Sequence, residues 1–128
     1  MRTFDSRVVA IALGVSPKWL DNTLSHHQLP DVDRSRQGRP RRITQQGVLA
    51  LEISRLLIQH WGVTVWRSAE IARALMARRT NGESRFDAST DVSLLLDLDA
   101  IEARLRDQIV AAVETAPRIR RGRPPRTA

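Results

Sequence analysis

Residues 10–48 read AIALGVSPKWLDNTLSHHQLPDVDRSRQGRPRRITQQGV, and this stretch decides the fold. Ala10, Gly14 and Val15 have the spacing of two helices that cross closely: a small residue at the crossing, a glycine at the turn and an apolar plug between them. Ser16 follows as an N-cap, and Pro17 takes the first helical position, where its missing N–H costs nothing. The second helix therefore opens at Pro17. Leu20 and Leu24, one turn apart, should face the first helix, which leaves Lys18, Trp19, Asn22, Ser25 and His26 on the outer face.

Beyond Leu29 and Pro30, the segment to Thr44 carries five arginines (Arg34, Arg36, Arg39, Arg41, Arg42) against two aspartates. A short polar segment with Gln37-Gly38 near its middle suits a hairpin whose arms project past the fold, and its charge selects a phosphate backbone as neighbour. The reading is a mainly α winged helix-turn-helix.

The order VVAIALGVS, a capped helix ending in Leu-Pro, a basic hairpin closed by Arg-x-Ile-Thr, and a helix opening QQGV resembles the DNA-binding domain of the MerR and excisionase-like group. The resemblance covers roughly residues 4–77. Ala10, Gly14, Val15 and Leu20 match its core positions and Ser16 its cap. Arg42 and Thr44 match the end of the wing and the cap of the next helix. It implies that the second helix enters the major groove and that the wing meets the flanking backbone. Where the group carries an Arg-Tyr or Tyr-Tyr pair on phosphates, this chain has Asp21, Asn22 and Thr23, and Asp21 cannot donate to a phosphate.

Working outward, Asp5 or Ser6 caps a first helix ending near Leu13, with Phe4, Val8, Val9 and Ile11 as its apolar positions. Thr44 caps a third helix to about His60, apolar on more than one face as befits a central element, and Gly62 ends it. Thr64 or Ser68 caps a fourth helix to about Arg79. Trp61 and Trp66 bracket the intervening turn and read as core or interface residues rather than stacking platforms for bases. Residues 4–79 form the DNA-binding domain.

Residues 80–91 are polar and read as a linker. A strand–helix appendage at 92–116 follows, with a short apolar strand over Ser93–Leu98 and an Asp99/Glu102 capping box opening a helix from Ala100 to Thr115. Ile101, Leu105, Ile109 and Val113 recur at helical spacing. That stripe needs a cover, and a homodimer is preferred over the chain's own core because paired half-sites raise the affinity of small DNA readers. Pro117 stops the helix, and residues 117–128 are read as a disordered basic tail. Its Arg121-Gly122-Arg123-Pro124 is similar to the AT-hook core, which implies that Arg121 and Arg123 lie along a minor groove.

The net charge of +7 in 128 residues is unevenly spread. Residues 31–44 contribute five Arg minus two Asp, and residues 118–128 contribute five Arg with no acid, while the remainder is close to neutral. Two basic segments on a neutral body suit nucleic acid. The absence of cysteine rules out disulfides, zinc fingers and thiolate sensors. No apolar run approaches a membrane span and no secretory signal is evident, so a cytoplasmic, nucleoid-associated location is expected.

Enzymatic readings are weak. His26-His27 and the distant His60 lack a carboxylate at ligand spacing, and Asp97, Asp99 and Glu102 are accounted for largely by capping. No catalytic residue, metal, cofactor or small-molecule effector is therefore expected. The function read from the sequence is sequence-specific double-stranded DNA binding by a small dimeric regulator. The alternatives are a DNA-binding accessory protein of a mobile element, phage or plasmid, and a protein-interaction adaptor.

Overall fold

A computed structural model describes residues 3–26, 42–79 and 82–115. The fold is mainly helical, with two short antiparallel strand pairs. In order it runs β1 (Thr3–Asp5), α1 (Ser6–Leu13), α2 (Pro17–His26), β2 (Arg42–Thr44), α3 (Gln45–Trp61), α4 (Val65–Ala77), β3 (Glu83–Asp87), β4 (Ser93–Asp97) and α5 (Leu98–Thr115).

Local chemistry sets most helix boundaries. Asp5 caps α1 by accepting from the Arg7 backbone N–H, Thr44 caps α3 by accepting from Gly47, and Thr64 caps α4 by accepting from Arg67. Each such bond satisfies a backbone donor that the first helical turn leaves unpaired. Gly14 closes α1 at φ 69°, in left-handed backbone that a β-carbon disfavours, and returns its N–H to Ala10 and Ile11.

The centre of the molecule is α3, where Val48, Leu49, Ala50, Leu51 and Ile53 are fully buried. It packs most extensively on α4, while α2 also rests on α4. Far-separated stretches meet where α5 lies along α1. One continuous apolar core includes Val9 and Leu13 of α1, Leu20 and Leu24 of α2, and Leu98, Leu105, Ile109 and Ala112 of α5.

Several sequence expectations change here. An unexpected strand, β1, pairs with β2 in the register Thr3↔Thr44, Phe4↔Ile43, Asp5↔Arg42. Residues 42–44 are thus zipped to the stretch preceding α1, and both Phe4 and Ile43 are buried. Residues 27–41, with the proposed wing tip, lie outside the described residues, as do the tail from 116 onward and its AT-hook-like motif.

The linker reading of 80–91 misses β3, which pairs with β4 from Glu83↔Asp97 to Asp87↔Ser93. Helix α5 begins at Leu98, and Asp97 caps it by accepting from Ala100 N–H at 3.0 Å. Asp99 and Glu102 form no capping box; both bind Arg79, just past α4, at 2.6 Å and 3.0 Å.

The expected dimer stripe is also redistributed. Leu105 and Ile109 are buried within the monomer, because α1 and α3 cover that side of α5, and Ile101 is half-buried. Val113 does remain exposed, at 53%.

Two further contacts lock the hairpin to the helices. The buried Ser84 hydroxyl donates to the Leu75 carbonyl at 2.5 Å, which satisfies an acceptor near the end of α4. Gly82 sits at φ +82°, and its carbonyl accepts from Asp99 N–H. A β-carbon at position 82 would collide with the Asp99 carboxylate.

Candidate nucleic-acid interface

The turn between α1 and α2 is built by backbone bonds that any variant must keep. Val15 N–H donates to the Ala10 carbonyl at 2.9 Å, and Gly14 N–H donates to Ile11. Ser16 Oγ then accepts from Trp19 N–H at 3.0 Å, which starts α2 immediately after the turn. Leu20, Thr23 and Leu24 are buried, so the rotation of α2 about its own axis is fixed. The residues at 18, 21, 22, 25 and 26 are consequently presented to solvent on the opposite face.

Lys18, Asn22 and His26 are exposed together, as the sequence reading expects. Asn22 and Lys18 lie one helical turn apart, so their side chains emerge side by side. Ser16 is exposed, with its oxygen occupied by the cap. Trp19 differs from expectation: it is half-buried against the core and supports the turn rather than standing on the outer face. The sequence reading set Ser25 on this outer face but not Asp21; both are exposed there. Ser25 Oγ donates to the Asn22 carbonyl at 2.6 Å, which ties its side chain back to the helix. Helical spacing alone identifies both residues.

Arg42 is the one member of the basic segment within the described residues. Its Nε donates to Thr3 Oγ1 and its Nη2 to the Thr3 carbonyl, both at 3.1 Å, which holds the exposed guanidinium against β1. Asp5 lies across from it in the strand pair. Burial pushes the Asp5 carboxyl up, but hydrogen bonds from the Arg7 side chain and backbone, with the charges of Arg7 and Arg42, outweigh that and hold it below the usual carboxylate range. Asp5 is thereby spoken for, as cap and as counter-ion. Arg34, Arg36, Arg39, Arg41, Arg121 and Arg123 lie outside the described residues.

Other exposed groups lie away from α2. Trp61 and Trp66, at 68% and 62% exposure, are not core residues and flank the α3–α4 turn. Arg67 stacks its guanidinium over Phe86, 5.8 Å from the ring centroid, and pairs with Glu70. Among the described residues no group of three metal-ligating side chains comes together. No described helix is long and apolar enough to cross a membrane.

Comparison of the chain with family models, with curated proteins and with solved structures gave no match in any of the three.

Proposed function

We propose that the chain is a sequence-specific double-stranded DNA-binding protein, a small transcriptional regulator that reads the major groove with α2. One observation carries this reading: a tightly turned helix pair fixes α2 by its buried face and presents Lys18, Asn22, Ser25 and His26 together on its open face. Asn suits the paired donor and acceptor of adenine and Lys the acceptors of guanine. Arg42, tethered to Thr3, would bring a restrained cation to the adjacent phosphate backbone, with the basic segment 31–44 continuing that contact. In this reading the wing is a basic extension anchored through β2 to the body.

The purified full chain incubated with a random duplex library tests the proposal. Enrichment of a defined sequence supports it. Recovery of no sequence above background, together with equal retention of single-stranded and duplex DNA, would overturn it.

A further inference from the structure

A groove of about 460 Å³ runs between α5 and the start of α3. Its floor consists of buried apolar side chains, among them Phe4, Val48, Leu105 and Ile109. Its α5 wall carries Val110 and Val113, which are 58% and 53% exposed. Two adjacent valines held in water beside an apolar trough form an unpartnered hydrophobic strip.

The charges bordering that strip say what covers it. Arg106 and Glu114 both line the groove, eight residues apart on α5. Their spacing along the axis is about 12 Å, with Val110 midway between them. If a second α5 is laid antiparallel across a twofold axis beside Val110, every residue i faces residue 220 − i of the other copy. Arg106 then stands at the level of the second copy's Glu114, and Glu114 at the level of its Arg106. The strip is self-complementary, as an interface with twofold symmetry requires. Among the described residues these charges have little claim on them. Arg106 reaches Glu102 only at 3.8 Å, and Glu114 has no ion pair among the described residues.

We propose that this groove is the contact between two copies of the chain, each inserting its Val110 and Val113 into the trough of the other. The contact uses the side strip of α5; the stripe through Leu105 and Ile109 stays in each monomer's own core. Phe4 joins the groove to the β1–β2 pair, so the symmetry of the contact also relates the two Arg42 side chains.

Sedimentation of the full chain without DNA tests the proposal independently of any DNA-binding role. Wild-type protein should sediment as a dimer at concentrations of tens of micromolar, and Val110→Glu as a folded monomer with unchanged helical circular dichroism. Arg106→Glu and Glu114→Arg should each weaken association about tenfold, since each change sets like charges opposite one another twice per dimer. The double variant should recover most of that loss. Residues eight apart on one helix do not touch, so such rescue has to arise between copies. A monomeric wild type, a dimer indifferent to Val110→Glu, or an absence of rescue would each overturn the proposal.

Discussion

Glu52 and Arg104, separated by 52 positions in sequence, meet at 2.6 Å and join the central helix α3 to α5. Glu52 is completely buried, and Arg55 completes its neutralisation through bonds of 2.5 Å and 2.9 Å. A carboxylate so enclosed is tolerated only with its partners. Removing both cations in Arg55→Ala/Arg104→Ala should therefore lower unfolding free energy by about 3–5 kcal/mol. Glu52→Gln, which leaves two partly exposed arginines in contact with water, should cost clearly less. Urea denaturation of the three proteins checks the order, and a larger loss in Glu52→Gln would reverse the argument.

The approach of Gly82 to Asp99 gives a second expectation. Gly82→Ala meets both left-handed backbone and the Asp99 carboxylate, so it should destabilise by more than the roughly 1 kcal/mol of the backbone effect alone. Adding Asp99→Ala removes the collision and should return part of the loss. Thermal melts of the single and double variants distinguish the two contributions.

Stability should also fall at low pH through Asp5. Its folded-state value lies below the unfolded value of 3.8, so the stability it contributes is fully present above that value. That contribution declines as pH falls below about 4 and is gone once the folded carboxyl is protonated. Asp5→Asn keeps an oxygen to accept from Arg7 N–H but has no charge to lose. Its acid unfolding curve should be correspondingly flatter than that of the wild type when followed by circular dichroism.

How much of this was legible in advance depended on the range of the interactions involved. The starts of α2 and α3 could be read directly because Ser16 and Thr44 act within three residues of themselves, and that of α4 was narrowed to Thr64 or Ser68, of which Thr64 is the cap. Strand β1 could not, since three residues acquire strand geometry only from partners about forty positions away. Strand β3 was hidden for another reason: one of its inward positions is Ser84, buried by a hydrogen bond rather than by hydrophobicity. The apolar stripe of α5 was evident, but a stripe does not say whose surface covers it. On α2, helical spacing put Lys18, Asn22 and His26 on the exposed face, where they lie. It misplaced Trp19, whose large ring turns inward beside the tight turn.

Within the proposed DNA-binding role, Asn22→Ala should narrow the gap between the enriched site and random duplex by about 1–3 kcal/mol while the melting temperature holds. Competition binding measures this. Equal losses on both DNAs would reassign Asn22 to the backbone.

Salt dependence examines the basic segments. Residues 31–44 and 118–128 hold ten arginines between them. If five or six reach phosphates, log affinity should fall against log salt with a slope of about −5. Deleting 118–128 should reduce that slope and leave the melting temperature unchanged within about a degree. A slope near zero in the intact chain would remove phosphate contact from the account.

The packing of α1 on α5 governs how the protein is made. About ninety residues emerge between Leu13 and Leu105, and at roughly 5–20 residues per second α1 waits some 5–20 s for the helix that covers it. During that interval α1 has only α2 and the β1–β2 pair of its eventual surroundings. Slowed translation past residue 80 should therefore lengthen the exposure of a sticky nascent chain. A holdase bound to the nascent N-terminal helices should be released when α5 clears the ribosome.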